Sequence, residues 1–204
     1  MPNPHTPFSV AILVFDEVEA LDFAGPYEVF TTASRVWARS HPDSPALFTV
    51  QSVARNADAV RARAGLRLLP DATFDTLPPA DVLIVPGGVV AAPMACPHTL
   101  DWVARQDQHS QITASVCTGA FVLAAAGVLP QARVTTHWED LTDLQTQFPA
   151  LQVVPDVRWV DNGHTVTSAG ISAGIDMCLH LVGRLAGAEW AHRTARQMDY
   201  PWTA

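Results

Sequence analysis

The chain contains no lysine: all 12 of its basic residues are arginine, set against 20 acidic residues for a formal charge of −8 over 204 residues. Affinity for nucleic acid comes largely from clustered cations that displace counterions. Here the arginines are scattered singly, apart from Arg61, Arg63 and Arg67, which alternate in a strand-like stretch. That pattern argues against a phosphate-binding face and against a nucleic-acid partner, and the missing lysine reads as a compositional bias of the source. Cysteine is also sparse. Cys96, Cys117 and Cys178 cannot all pair with one another, and no two have zinc-ligand spacing. A reducing, cytoplasmic compartment fits best. Long apolar runs are missing too: no segment reaches the roughly 18 uninterrupted apolar residues of a membrane helix. The opening MPNPHTP carries neither the positive charge nor the apolar core of a secretory signal.

What is present is a composition of 49% hydrophobic and 16% charged residues, enough for one sizeable core, and a single domain over residues 1–204 is expected. FSVAILVF, residues 8–15, is a nearly continuous apolar run of strand length, suited to a parallel strand buried on both faces. DEVEALDFAGPYEVF follows, in which Pro26 fits a first helical turn and Val29, Phe30 and Ala33 give helical spacing. Further strands are expected at 47–53, 81–85, QITASV and RVTTHW, and short ones around Gly65. Helices are expected at 98–106, TGAFVLAAAG, WEDLTDLQTQF and in the C-terminal third. VRWVDNGHTVTSAG reads as a hairpin turned by Asn162-Gly163. Strands alternating with helices predict a three-layer α/β/α sandwich with a mostly parallel sheet.

In such sheets ligands bind beyond the carboxyl ends of the strands. SVCTGAF places Cys117 at such a strand-to-helix junction among the small residues Ser115, Thr118, Gly119 and Ala120. A sharp turn of this kind, a nucleophile elbow, lifts the middle side chain into the cleft. The following helix directs its free N–H groups at the sulfur, which predicts a depressed thiol pKa and a thiolate near neutrality. A free cysteine is also often a small core hydrophobe, so position alone leaves both readings open. Cys178, in MCLHLV, reads as structural, and Cys96, between Ala95 and Pro97, as incidental. Asp22 stands among Ala20, Leu21, Phe23 and Ala24, and a carboxyl in apolar surroundings has a raised pKa. It could donate a proton near pH 7, or simply cap the helix that contains Pro26. The Pro86-Gly87-Gly88 turn lets backbone amides approach a ligand, placing Gly87 at the pocket. His137 and Trp138 end a predicted strand and could face the same cleft; Ser168, Ala169 and Gly170 end another and are small enough to shape its wall.

The combination ALDFAGPYEVF, VLIVPGG, SVCTGAFVLAAAGVL, RVTTHW and TSAGISAGID, in that order from about Val10 to Leu185, resembles the ThiJ/PfpI superfamily, with its class I glutamine-amidotransferase-like fold. Within it the chain is most similar to isocyanide hydratases and to the N-terminal domains of AraC-type regulators. By that resemblance Cys117 matches the elbow nucleophile and Asp22 the acidic residue reaching it from the loop after the first strand. Gly88 and Thr118 match positions whose backbone N–H groups form an oxyanion-hole-like pocket. Thr118 replaces the histidine that follows the cysteine in the protease-like branch, and the C-terminal region lacks a glutaminase His-x-Glu pair. Peptidase and glutaminase activity are therefore not expected.

The resemblance implies a small-molecule substrate, a homodimer, and no metal or other cofactor. Three functions follow from it. The first is hydration of an isocyanide to an N-substituted formamide by Cys117 and Asp22, in surroundings made apolar by Phe23, Val89 and Trp138. The second is a small-ligand-binding sensor domain without its DNA-binding module, for which a chain ending at Ala204 leaves no room. The third is aldehyde or glycation repair, or redox sensing through the thiol.

Overall fold

In the computed structural model, which describes residues 6–203, the apolar run near the amino terminus becomes β1 (Phe8–Leu13). Its side chains alternate between two cores and not between core and water. Val10 and Ile12 join one apolar cluster while Ala11 and Leu13 join another, and the buried strand Val82–Val85 divides in the same way. That is why neither segment shows polar alternation in sequence. Residues 1–5, most of the stretch read above for a leader, lie outside the described residues.

After β1 come α1 (Ala20–Ser40), β2 (Phe48–Ala54) and three short strands, β3 (Val60–Arg61), β4 (Arg67–Leu68) and β5 (Ala72–Thr73). β6 (Val82–Val85), α2 (Ala91–Met94), α3 (Pro97–His109), β7 (Ile112–Val116) and α4 (Gly119–Ala125) follow. β8 (Arg133–Val134), α5 (Leu141–Gln147), β9 (Gln152–Val153), β10 (Trp159–Asp161), β11 (Thr165–Ser168), α6 (Ala173–Ala186) and α7 (Ala188–Gln197) complete the chain. The central sheet has the order β10-β11-β7-β6-β1-β2-β5, and every pairing in it is parallel except that of β10 with β11. Residues of α1, α6 and α7 cover one face, and residues of α3, α4 and α5 cover the other. The expected α/β/α arrangement is therefore present. Trp37 and Trp190 close the α1–α7 contact edge to face, with ring centroids 4.8 Å apart. Among the described residues, no helix is long and apolar enough to cross a membrane.

Two local expectations need correction. Pro26 lies well inside α1 and not in its first turn, because the helix already begins at Ala20, with Glu19 as its N-cap. Pro26 has no N–H to offer the carbonyl four residues earlier, that of Asp22. RVTTHW is a strand only at Arg133–Val134. Beyond that the Thr135 amide donates to Thr167 Oγ1 at 2.9 Å, and the Thr136 hydroxyl donates to the Cys117 carbonyl at 2.8 Å, so side chains take over from the ladder.

β1 is flanked by β2 on one side and β6 on the other, so the chain leaves it in opposite directions. The crevice of an open α/β sheet forms at such a point. The β7–α4 turn packs very tightly against β6 here: a Cβ on Gly119 would lie 2.0 Å from the Val85 carbonyl oxygen. Gly119→Ala is accordingly expected to lose about 3 kcal/mol or more of stability in urea unfolding. Gly127→Ala is expected to lose ~1 kcal/mol, since Gly127 has φ +74° but nothing within 4 Å of an added Cβ. Equal losses would contradict this reading of the elbow.

Candidate active site at the carboxyl edge of the sheet

Four connections meet at the carboxyl edge: β1–α1, β6–α2, β7–α4 and β11–α6. Cys117 follows β7 directly and has φ 57°, a left-handed conformation that costs a non-glycine residue about 1–2 kcal/mol. Its surroundings fix it in place. The Cys117 amide donates to the carbonyls of Ser168 (3.2 Å) and Ala169 (3.3 Å), while Thr136 binds its carbonyl. The side chain is buried, and the backbone amides of Thr118 and Ile171 draw the thiol's acidity toward ionisation.

Asp22 reaches this sulfur from the first turn of α1, and not from the loop before it as the resemblance implied. It is 0% exposed. Its Oδ2 accepts from the Gly87 amide at 3.1 Å, and Oδ1 has no hydrogen-bond partner among the described residues. The Cys117 thiol is a neighbouring group that favours the ionised form of the carboxyl. Gly87 fits because it lacks a side chain: a Cβ there would lie 2.6 Å from the Thr118 nitrogen and 2.9 Å from Asp22 Oδ2.

Burial drives the Asp22 carboxyl up to about 7, with the Gly87 amide opposing and the charge of Glu19 assisting. Burial also pushes the Cys117 thiol up to about 12, with the Asp22 charge as the next cause. The helix amides expected to lower the thiol pKa do pull in that direction, but desolvation outweighs them. The thiolate expected at neutral pH is thus replaced by a thiol beside a carboxyl that ionises near 7.

The remaining expected residues fall into separate roles. Thr118 Oγ1 both accepts from the Gly88 amide and donates to the Gly88 carbonyl, each at 2.9 Å, so that amide is engaged and not free. His137 lines the cleft, with Nδ1 3.4 Å from Asp140 Oδ2, and its ring rests on Gly170, where a Cβ would lie 2.1 Å from Cδ2. Trp138 is 72% exposed and turned to solvent, and Val89 is exposed as well. Phe23 packs against two apolar clusters. Ser168 and Ala169 support the elbow through their carbonyls, and Ser168 Oγ is directed to the Ser115 carbonyl at 3.3 Å. A cavity of about 230 Å³ opens over Cys117, bounded by Gly88, Thr118, His137 and Ile171, with the ion pair of Arg63 and Glu19 (3.4 Å) at its rim. Among the described residues no group of three His, Cys, Asp or Glu side chains is placed to hold a metal ion.

Sequence reasoning missed Thr136, Ile171 and the Arg63–Glu19 pair. Ile171 lies inside the TSAGISAG motif, but its amide matters only because the backbone there takes φ 46°, which isoleucine does not advertise. Cys96, read as incidental, sits at the N-cap of α3 beside a separate cavity of about 340 Å³. Hydrogen bonds from Thr99 hold its thiol below the ordinary value, and Arg55 Nη1 lies 3.6 Å from its sulfur. Burial keeps Cys178 high, as expected of a structural cysteine.

The DJ-1/PfpI family profile matches residues 8–184. The isonitrile hydratase of Pseudomonas putida is 37% identical over 193 residues, covering 94% of this chain and 78% of that protein. The HTH-type transcriptional regulator GbdR of Pseudomonas aeruginosa is 30% identical over 98% of this chain but 52% of its own length, so this chain spans about half of that regulator. Among solved structures, a ThiJ/PfpI family protein from Pseudomonas syringae superposes with TM-score 0.83 at 27% identity, covering 100% of this chain and 83% of that one. Drosophila melanogaster DJ-1beta superposes with TM-score 0.82 at 21% identity, covering 97% and 100%, a likeness of fold.

Two outcomes follow from the electrostatics. With iodoacetamide at pH 7, Cys96 is expected to alkylate faster than Cys117, read by peptide mass spectrometry; Cys117 reacting first would contradict the burial argument. Asp22 binds a proton in the folded chain, up to about 7, that the unfolded chain has released above its ordinary 3.8. Its contribution to stability is therefore complete below that lower value and is lost as pH rises through about 7, up to ~4 kcal/mol in all. Asp22→Asn should accordingly gain thermal stability over the parent protein between pH 4 and pH 8, and a pH-independent difference would contradict the shift.

Proposed function

Because the chain belongs to the DJ-1/PfpI family, we propose, on the pairing of the Cys117 thiol with a buried Asp22 carboxyl, that it is a cysteine-dependent hydratase converting an isocyanide, R–N≡C, to the formamide R–NH–CHO. The observation that carries this reading is that pair, held in a cleft of a chain that is similar over nearly its whole length to an isonitrile hydratase.

The chemistry follows from the two acidities. With Asp22 as carboxylate, the Cys117 sulfur attacks the terminal carbon while its proton passes to Asp22. Asp22 returns that proton to the same carbon, giving a neutral thioimidate, R–N=CH–S. Water then adds to the carbon, its proton moving through Asp22 to the nitrogen. Collapse of the tetrahedral adduct breaks the C–S bond, and the hydroxyl proton goes back to sulfur. The amides of Thr118 and Ile171 stabilise negative charge on sulfur as it forms and as it leaves. A thiol activated only during attack avoids holding a buried thiolate at rest, at the expense of requiring ionised Asp22.

The reading extends to a homodimer in the cytoplasm. Trp138, Val89 and Ile171 are exposed and lie next to or on the cavity lining, and a second copy would cover them. A ligand-sensing role draws on the likeness to the regulators and on the engaged Gly88 amide, which offers no free oxyanion donor. Redox sensing at Cys117 has less support, because a thiol pushed up to about 12 reacts poorly with oxidants.

Formamide release from an aryl isocyanide is expected to disappear in Cys117→Ala and to fall by about 100-fold or more in Asp22→Asn. kcat/KM should rise with pH to a plateau above about 7, as Asp22 ionises. Turnover that survives in Cys117→Ala, or that falls as pH rises through 7, would sink this mechanism.

A further inference from the structure

The small chamber over Cys117 has a neighbour. A second, larger groove of about 480 Å³ lies between α2, α4 and α5 and shares Gly88, Thr118 and Asp140 with it. The hydrogen-bonded Gly88–Thr118 pair forms the sill between them. Beyond that sill the wall is apolar, built from Val90, Ala91 and Met94 of the α2 segment and from Phe121 of α4. Its outer edge carries Asp143 and Gln147 from α5.

We propose that this groove is the subsite for the substrate's substituent, so that the protein favours isocyanides bearing an extended, uncharged apolar group over small or anionic ones. The inference rests on the hydratase reading for the identity of the head group and on the shared boundary for the position of the tail. An isocyanide is linear, so attack at its terminal carbon leaves R directed away from sulfur, past the nitrogen. The head chamber, about 230 Å³ and rimmed by charged side chains, suits the reacting end and not a large apolar group. The groove offers the apolar surface the head chamber lacks, and full burial favours each added methylene by up to about fourfold in binding. Charge sets the second preference. Asp140 stands at the junction beside His137 and Asp143 in the groove, while Arg63 of the head chamber is already paired with Glu19, so a carboxylate on R is set beside like charge in the groove.

The test does not depend on hydration. N-alkyl iodoacetamides alkylate Cys117 through displacement of iodide with loss of the thiol proton, and a Cys96→Ser background removes the competing thiol. From N-methyl to N-hexyl the rate at Cys117 should rise by about tenfold or more, and an N-carboxypentyl reagent should fall well below N-hexyl. Ala91→Trp and Ala95→Trp place bulk at exposed positions of the groove, where it does not disturb the core, and should collapse the hexyl-to-methyl ratio toward one. A flat series in the parent, or a ratio that survives both substitutions, overturns the subsite. Isocyanide turnover is measured in parallel. A steep series without any formamide supports the groove and overturns the hydratase reading; a flat series with formamide overturns the groove alone.

Discussion

A carboxyl group placed where water does not reach it is the constraint around which this site is arranged. Asp22 is buried on the first turn of α1, and its compensation is a single backbone amide, that of Gly87. An uncompensated buried charge is strongly unfavourable, so the group retains its proton to about 7. The chain around it is correspondingly tight. Gly87 leaves room for the carboxyl beside Thr118, and Gly119 lets the elbow close against Val85, so the approach of β6 to β7 and the position of α1 are fixed together.

Strain in the elbow is held by contacts from the end of β11 and the loop after β8. Cys117 and Ile171 both take positive φ values, and Ile171 is β-branched, for which that conformation is an outlier. The Ser168 and Ala169 carbonyls and the Thr136 hydroxyl anchor the Cys117 backbone from two directions. The result is a thiol that the Thr118 and Ile171 amides draw toward ionisation while burial and the Asp22 charge oppose them, with Arg63 held at the cavity rim by Glu19. Reactivity in such an arrangement arises when the carboxyl accepts the thiol proton, which couples the nucleophile to the acidity of Asp22.

Much of this was legible in the sequence. The unbroken apolar runs of β1 and β6 announced a sheet buried on both faces, Asn162-Gly163 announced the β10–β11 hairpin, and the small residues flanking Cys117 announced the turn. The apolar neighbours of Asp22 in sequence also foretold its raised acidity. The thiol was misjudged because helix polarity is a local property, whereas the burial that overrides it comes from β11, the loop after β8 and α1, all distant in the chain. Pro26 misled for a related reason: its fit to a helix start is generic, and here Glu19 and the carboxyl edge of β1 had already set that start. Thr136 and Ile171 act through a hydroxyl reaching another segment and a backbone amide, neither of which leaves a pattern in the residues themselves.

The raised acidity of Asp22 is open to direct observation by titrating the side-chain carboxyl carbons of carbon-13-labelled aspartate by NMR, with Asp22→Asn assigning the resonance. A midpoint near 7 is expected, and because burial is its largest cause it should stay elevated in Cys117→Ala. A midpoint close to the ordinary 3.8 would mean that Asp22 is a solvated carboxylate, and the coupling of thiol and carboxyl on which the site depends would be contradicted.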